Sequence, residues 1–225
     1  VESSQLAAAG RVAADAAHEI NNPLGIISSR AELILMEKNL PDVVVEDVRV
    51  IKQNAERVAD YTKGLLSFAR PFSGNPEKVN LNQVVVETVS FLEKQLSKKG
   101  IILVRELPEH SPKVWAKKAQ LQQILLNLIG NAKDALDSGG HITVRTGQAN
   151  NHQVFLEVED DGCGIGAEEL GRIFDPFYTT KGDNGTGLGL SVCRSLVEEN
   201  GGKITVKSNL GQGTLFRVTL PGSLG

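Results

Sequence analysis

The first 65 residues carry an apolar repeat with a mean spacing near 3.5 residues, which is typical of helices that pack along their whole length. Asn39, Pro41 and Asp42 interrupt it with a helix stop, a turn and an N-cap. The sequence therefore predicts a helical hairpin whose first helix covers residues 3–38. The repeating positions are Ile20, Leu24, Ile27, Ala31 and Ile34 in the first helix and Val48, Ile51, Ala55, Val58, Thr62 and Leu65 in the second.

The apolar stripe of this hairpin is continuous, and two helices alone cannot bury it. A second copy of the chain is the simplest cover and would complete a four-helix bundle. A core of Leu, Ile, Val and Ala also agrees with the low aromatic content of 4%. We therefore predict a homodimeric four-helix bundle.

The composition shifts to Pro, Gly, Ser and Asn around residues 70–76, as expected of a linker. We place a helical domain at residues 1–72, a linker at 73–79 and a second domain at 80–225. Short turns between its strands favour antiparallel pairing, so we predict an α/β sandwich with helices on one face. The predicted elements are helices over 81–99, 118–137 and 187–200, and strands over 101–107, 112–116, 141–147, 153–160, 203–208 and 214–220.

Composition argues against several classes of protein. The net charge is −3 and the pI is near 5.9, so nucleic acid is not an expected partner. Cys163 and Cys193 lack the spacing of a metal clip or a disulfide framework. No apolar run reaches the roughly 18 residues of a membrane span, and no signal pattern opens the chain. We expect a cytoplasmic protein, or the cytoplasmic part of a membrane-bound parent whose upstream segment is absent.

His18 lies about 200° around the first helix from Ile20, so its imidazole should face solvent. An exposed imidazole is partly unprotonated near neutral pH and can act as a nucleophile. Glu19 adjoins it, and Asn22 lies one turn further on. Pro23 should kink the helix here at a cost of about 3 kcal/mol. A lone surface histidine usually has no role, but these neighbours favour a functional one.

Asn127 and Asn131 lie one turn apart on the helix predicted over 118–137, away from its apolar stripe. Asparagine is a poor helix former, so this pair needs an explanation. Amide oxygens can bind Mg²⁺, which commonly takes substrate phosphates as further ligands. Simple solvation of both amides is an equally good interpretation of this pair taken alone.

Two glycine-rich runs, at 160–166 and 185–190, could form an anion cradle from backbone N–H groups and a helix N-terminus. Either run alone is weak evidence, since flexible loops are also rich in glycine. The second run is not a P-loop, because no Gly-Lys-Ser/Thr follows. The segment 172–182 between the runs combines aromatic residues with a polar stretch, and we interpret it as a hinged lid. Lys181 within it could reach a phosphate, although an ordinary exposed lysine is the better interpretation.

In this order the motifs resemble those of the sensor histidine kinases of two-component signalling, over nearly the whole chain. The H box corresponds to residues 18–24, the N box to 127–132, the first G box to 160–164, the F box to 174–177 and the second G box to 185–189. The resemblance implies a dimerisation and phosphotransfer hairpin followed by a Bergerat-type ATP-binding domain. It also implies that ATP phosphorylates the chain, which then passes the phosphoryl group to an Asp of a response regulator.

The resemblance also assigns roles to residues. It makes His18 the phosphoacceptor and Glu19 its activating acid or base. Glu19 and Asn22 together match a phosphatase signature in which the amide orients a water.

For the nucleotide, the resemblance makes Asn131 the Mg²⁺ ligand, places Asn127 beside the phosphates and pairs Asp160 with the adenine amino group. The other residues it places in the nucleotide pocket and lid are Gly162, Gly164, Gly185, Thr186, Gly187, Leu188 and Gly189.

Two features depart from the family. Asp134 stands where many members have a basic or aromatic residue, which leaves Lys133 and Lys181 as candidate cations for the phosphates. The lid is short. Two alternatives remain: an ATPase of the same nucleotide fold, against which Asn127 argues because that class uses a Glu there, and a dimeric scaffold that binds ATP without turnover.

Overall fold

The computed structural model describes residues 20–37, 39–69, 75–137, 139–150, 152–182 and 185–223. They fall into two compact units. One unit contains the helical hairpin together with residues 179–188, and the other contains the remaining residues after position 71. Among the described residues, no helix is both long enough and apolar enough to cross a membrane.

The predicted helical hairpin is confirmed. Helix α1 is described from residue 20 to its end at residue 35, and α2 covers Asp42–Ala69. Asn39 has the positive φ of 69° that often follows a helix end. Asp42 is the first helical residue of α2 rather than its cap, because the Val45 N–H already bonds the Pro41 carbonyl.

The apolar repeat of the hairpin separates into two sets. Ala31 on α1 and Val48, Ala55 and Thr62 on α2 are buried within the single hairpin. The alternate positions remain between 38% and 52% exposed, namely Ile20, Ile27 and Ile34 on α1 and Val44, Ile51 and Val58 on α2. Among its described residues, the hairpin thus buries four positions of the repeat, keeps Leu24 half-buried and leaves six positions on its surface.

The second unit contains three helices and seven strands among its described residues. Its elements are β1 (Glu77–Asn80), α3 (Leu81–Lys98), β2 (Ile102–Glu106), β3 (Lys113–Ala116), α4 (Lys118–Ala135), β4 (His141–Asn150), β5 (Gln153–Asp160), α5 (Gly189–Glu199), β6 (Lys203–Ser208) and β7 (Thr214–Pro221). The three predicted helices and six predicted strands are all present. Strand β1 falls within the stretch predicted as linker.

Five strands form one sheet in the order β2-β4-β5-β7-β6, and β1 pairs with β3 in a separate two-stranded sheet. The prediction of antiparallel pairing holds for every pair except β2 and β4, which are parallel. These two strands are separated by β3 and α4, and a connection of that length permits parallel pairing whereas a hairpin does not.

The core of this unit lies between the sheet and its helices. Every second residue of β7 is buried, from Thr214 through Phe216 and Val218 to Leu220, as expected of a sheet covered on one face. The opposing helices contribute buried leucine, isoleucine and valine side chains, with α4 the most deeply buried. The α/β sandwich is therefore confirmed.

Candidate active site

Asp160 ends β5 and is only 5% exposed. The Gly162 N–H donates to its Oδ1 over 3.0 Å, and the Thr214 backbone donates a second hydrogen bond. Burial nevertheless raises the pKa of Asp160 to about 6, because desolvation outweighs the lowering of the pKa by these two bonds. The negative charges of Asp161 and Glu159 raise this pKa further. A buried acceptor of this kind suits an uncharged N–H donor on a ligand.

Gly162 and Gly164 are required by the fold itself. A Cβ on Gly162 would lie 2.6 Å from the Ala135 carbonyl oxygen, at the end of α4. A Cβ on Gly164, whose φ is +70°, would lie 2.1 Å from the Asn209 carbonyl oxygen. The turn after β5 is therefore packed against the end of α4 on one side and the β6–β7 turn on the other, which fixes the position of Asp160.

Asn127 lies half-buried on α4, and both ends of its amide are engaged. Its Oδ1 accepts a 2.8 Å bond from Gln123 Nε2, and its Nδ2 donates a 3.1 Å bond to the Gly189 carbonyl, where α5 begins. The Gln123 and Asn127 side chains thus connect the middle of α4 to the first residue of α5. The structure brings Asn127 and Gly189 together as neighbours.

Asn131 lies one turn further along α4 and is also half-buried. Among the described residues there is no group of three or more His, Cys, Asp or Glu side chains that could hold a metal. The Asn131 amide oxygen on this half-buried face would suit Mg²⁺, because that ion commonly takes most of its ligands from phosphates and water. Lys133, one of the two candidate cations, has its Nζ 4.0 Å from Asp134 Oδ1, so a carboxylate already lies beside it.

The aromatic segment before the second glycine run is only partly anchored. Phe174 packs edge-on against Phe216 with ring centroids 6.4 Å apart, and the Arg172 guanidinium lies 4.6 Å from the centre of the Tyr178 ring. Phe177 differs, because it is 69% exposed and has a φ of 66°. The aromatic residues therefore anchor this segment at Phe174 and Tyr178 but not at Phe177.

Residues 179–188 belong to the same compact unit as the hairpin. They include Lys181, Gly185, Thr186, Gly187 and Leu188. The Thr179 hydroxyl accepts a bond from the Lys181 N–H, and a Cβ on Gly185 would lie 2.0 Å from that hydroxyl. The Leu188 N–H donates to Thr186 Oγ1 over 3.4 Å.

Of the residues predicted on the first helix, His18 and Glu19 lie outside the described residues. Asn22 is exposed on α1. Its neighbour Asn21 is half-buried and contacts the Thr62 hydroxyl of α2.

Three contacts in these arrangements were not predicted from the sequence: those of Gln123, of Thr214 and of the Thr62 hydroxyl, whose residue was predicted only as a position of the apolar repeat. Gln123 precedes Asn127 by four positions, so the pair could have been found from helical spacing alone. Thr214 meets Asp160 only through the register of β5 with β7, and Thr62 meets Asn21 only through the hairpin. No local signal marks either of these two contacts.

Two family models match the chain. The "His Kinase A (phospho-acceptor) domain" matches residues 8–74, and the "Histidine kinase-, DNA gyrase B-, and HSP90-like ATPase" matches residues 116–224. Sensor kinase CckA of Brucella abortus is 36% identical over 98% of this chain, which spans 25% of the length of CckA. The chain thus corresponds to a part of that relative.

Two solved structures of the histidine kinase ThkA are also similar. Its catalytic domain is 32% identical over 66% of this chain and 98% of that chain, with a TM-score of 0.60. A complex of ThkA with the response regulator protein TrrA is 28% identical, covers 98% of this chain and 64% of that chain, and has a TM-score of 0.69.

A helical hairpin matching a phospho-acceptor domain, joined to an α/β sandwich of this topology, is the core of a histidine kinase. The chain belongs to the sensor histidine kinases of two-component systems.

Proposed function

We propose that this chain transfers the γ-phosphoryl group of ATP to His18 and then to an Asp of a response regulator. The observation that supports this most directly lies in the second unit, which combines a buried Asp160 carboxylate with a half-buried polar face on α4. In the same chain, residues 8–74 match a phospho-acceptor domain. The relative ThkA, solved in complex with a response regulator, supports the second step.

Asp160 would accept a hydrogen bond from the adenine amino group, since its carboxylate is buried and largely ionised above pH 6. Asn131 would hold Mg²⁺ through its amide oxygen, and the ion would neutralise charge on the phosphates. Asn127 would act beside the phosphates by holding Gly189 and the start of α5 in place.

The remaining nucleotide-binding residues that we propose form the walls of the pocket and its lid. Backbone N–H groups there would contact the phosphates. These residues are Gly162, Gly164, Lys181, Gly185, Thr186, Gly187, Leu188 and Gly189.

His18 would attack the γ-phosphorus with a ring nitrogen. A nitrogen–phosphorus bond forms while the bond between the γ-phosphorus and the β,γ-bridging oxygen breaks, and ADP leaves with the electron pair of the broken bond. Glu19 would hydrogen-bond the other ring nitrogen and so raise the nucleophilicity of the attacking one. The phosphoryl group then passes to the regulator's carboxylate, which leaves His18 free for another cycle.

A phosphatase activity towards the phosphorylated regulator is part of the same proposal. The Asn22 amide is exposed on α1 and would orient a water for attack on the phosphorus. Exposure is required for this role, because the substrate is another protein.

We further propose that the hairpin dimerises and that the domains are bounded as the sequence predicts, at 1–72 and 80–225. The exposed apolar positions of α1 and α2 support the dimer, since a second hairpin placed against them completes a four-helix core.

The test is incubation with γ-³²P-ATP and Mg²⁺, comparing the wild-type chain with His18→Gln. We expect a label on the wild-type chain that is stable to alkali, labile to acid and absent from His18→Gln. Asn22→Ala serves as the control that should retain labelling of His18 but lose dephosphorylation of the regulator.

The two alternatives predict different results. A non-catalytic scaffold would bind ATP without acquiring any label. An ATPase of the same fold would release inorganic phosphate at equal rates in the wild-type chain and in His18→Gln. Either result would contradict the proposed kinase activity.

A further inference from the structure

Thr62 occupies an unusual position in the hairpin. The α2 positions that face α1 recur every seven residues at Val48, Ala55 and Thr62, which are 8%, 5% and 7% exposed. Two of these positions are apolar, and the third carries a hydroxyl. Among the described side chains of α1 and α2, Thr62 is the only polar one that is buried.

The Thr62 hydroxyl oxygen lies 2.5 Å from Asn21 Oδ1 on α1 and 2.8 Å from the Ala59 carbonyl oxygen. A hydroxyl carries one proton, so it donates to one of these oxygens at a time. A half-turn of the Asn21 amide brings its N–H group to the hydroxyl and allows both bonds to form together. Either arrangement joins the two helices inside the hairpin.

The other polar contacts described between α1 and α2 are weaker. Ser28 Oγ lies 3.4 Å from Glu56 Oε1, and Lys52 Nζ lies 3.3 Å from Glu32 Oε1. Both involve exposed carboxylates, and exposed pairs of this kind contribute little. The contact of Thr62 with Asn21 is therefore the most specific polar contact between these helices.

The position of Asn21 connects this contact to the chemistry. Asn21 follows His18 by three residues and directly precedes Asn22, and Pro23 comes next. Pro23 has no N–H, so the helix lacks one backbone hydrogen bond here and is easier to bend. A bond from Asn21 to the neighbouring helix restrains the helix at this weakened point.

We propose that Thr62 is a positioning residue that fixes the register and rotation of the α1 segment carrying His18 and Asn22. This inference rests on the proposed function. A buried polar pair in a coiled coil typically fixes register at some cost in stability. Thr62 would therefore contribute to the reactions of His18 more than to the stability of the hairpin.

The test is Thr62→Val, which keeps the shape of the side chain and removes the hydroxyl. We expect kcat of autophosphorylation to fall about tenfold, since misplacing a reacting group by about 1 Å costs up to a hundredfold. The KM for ATP should stay unchanged, because ATP binds another domain, and the thermal midpoint should not fall. Thr62→Ser should restore kcat to within about twofold, since it restores the hydroxyl.

Ser28→Ala is the matched control, since it removes an exposed contact between the same helices and should leave kcat unchanged. Asn21→Ala should reproduce the loss seen in Thr62→Val, and the double variant should lose no more than either single one. Wild-type kcat in Thr62→Val, an equal loss in Ser28→Ala, or no recovery in Thr62→Ser would each overturn the inference. Failure of the wild-type chain to label His18 would instead overturn the proposed function.

Discussion

Asp160 combines deep burial with a carboxyl group that accepts hydrogen bonds from the Gly162 and Thr214 backbone. Its raised pKa means that the folded chain takes up a proton between about pH 4 and 6 that the unfolded chain does not. Folding stability from this group is therefore lost as the pH rises through 6. Ligand binding should show the opposite trend, because the ligand requires the ionised form.

We expect the dissociation constant for ADP to rise about tenfold between pH 8 and pH 5 through protonation of Asp160, given its pKa of about 6. Isothermal titration calorimetry at both pH values would measure it. ADP itself also changes its protonation state over this pH range. The comparison is therefore with Asp160→Asn, in which ADP still titrates but residue 160 does not. An equal pH dependence in the two proteins would contradict the assignment.

Gln123 has an indirect effect that can be measured. It holds the Asn127 amide through a 2.8 Å bond, and Asn127 in turn holds Gly189. Gln123→Ala should weaken ADP binding about fivefold, in line with roughly 1 kcal/mol for one hydrogen bond. Gln122→Ala, at the adjacent half-buried position of α4, should leave binding unchanged. An equal loss in both would indicate a general effect on the helix.

At the scale of elements, the turn after β5 is packed against two other pieces of backbone. Gly164 packs against the β6–β7 turn, and the Gly211 N–H of that turn donates a 2.7 Å hydrogen bond to the Cys163 carbonyl. The position of the candidate adenine-binding carboxylate thus depends on contacts among three elements that are distant in sequence. The fold by itself therefore requires glycine at position 164, in addition to its proposed place in the pocket wall.

Gly164→Ala should lower the free energy of unfolding by about 2–4 kcal/mol, because it adds a steric conflict with the Asn209 carbonyl to a strained positive φ. Gly171→Ala is the matched control, since a Cβ there meets nothing within 4 Å. Urea unfolding followed by fluorescence of Trp115, the chain's single tryptophan, reports on the unit that contains both glycines. Similar midpoints for the two variants would refute this account.

At the scale of the whole molecule, the described part of the hairpin exposes six apolar positions of its heptad repeat. Ile27 is 43% exposed and Ile51 is 52% exposed in the single chain. Isolated apolar residues on a surface are ordinary, but a stripe that repeats every seven residues on both helices marks a contact surface. The assembly state should therefore depend on these residues.

Ile27→Glu and Ile51→Glu should each convert a dimer into monomers, because a buried glutamate without a partner is costly. Size-exclusion chromatography with light scattering would measure the change in mass. Val43→Glu is the control, since Val43 is 73% exposed and lies outside the repeat. A wild-type chain that is monomeric at high micromolar concentration would contradict the proposed dimer.

The sequence alone was sufficient for the elements whose signal is local. The 3.5-residue repeat predicted α1 and α2, and alternation predicted β5 at residues 153–160 and β6 at 203–208, the bounds that the structure shows. The order of the motifs was sufficient for the family. These features depend on residues close together in the chain, where helix and strand geometry determines the spacing.

The tertiary structure decided what depends on distant partners. Strand β1 has four residues and is recognisable only from its pairing with β3, and the parallel pairing of β2 with β4 depends on the long connection between them. The burial of Asp160 requires β7, and the Asn127 amide finds Gly189 across 62 positions. Burial, register and hydrogen-bond partners arise only when separate elements pack, so no local pattern contains them.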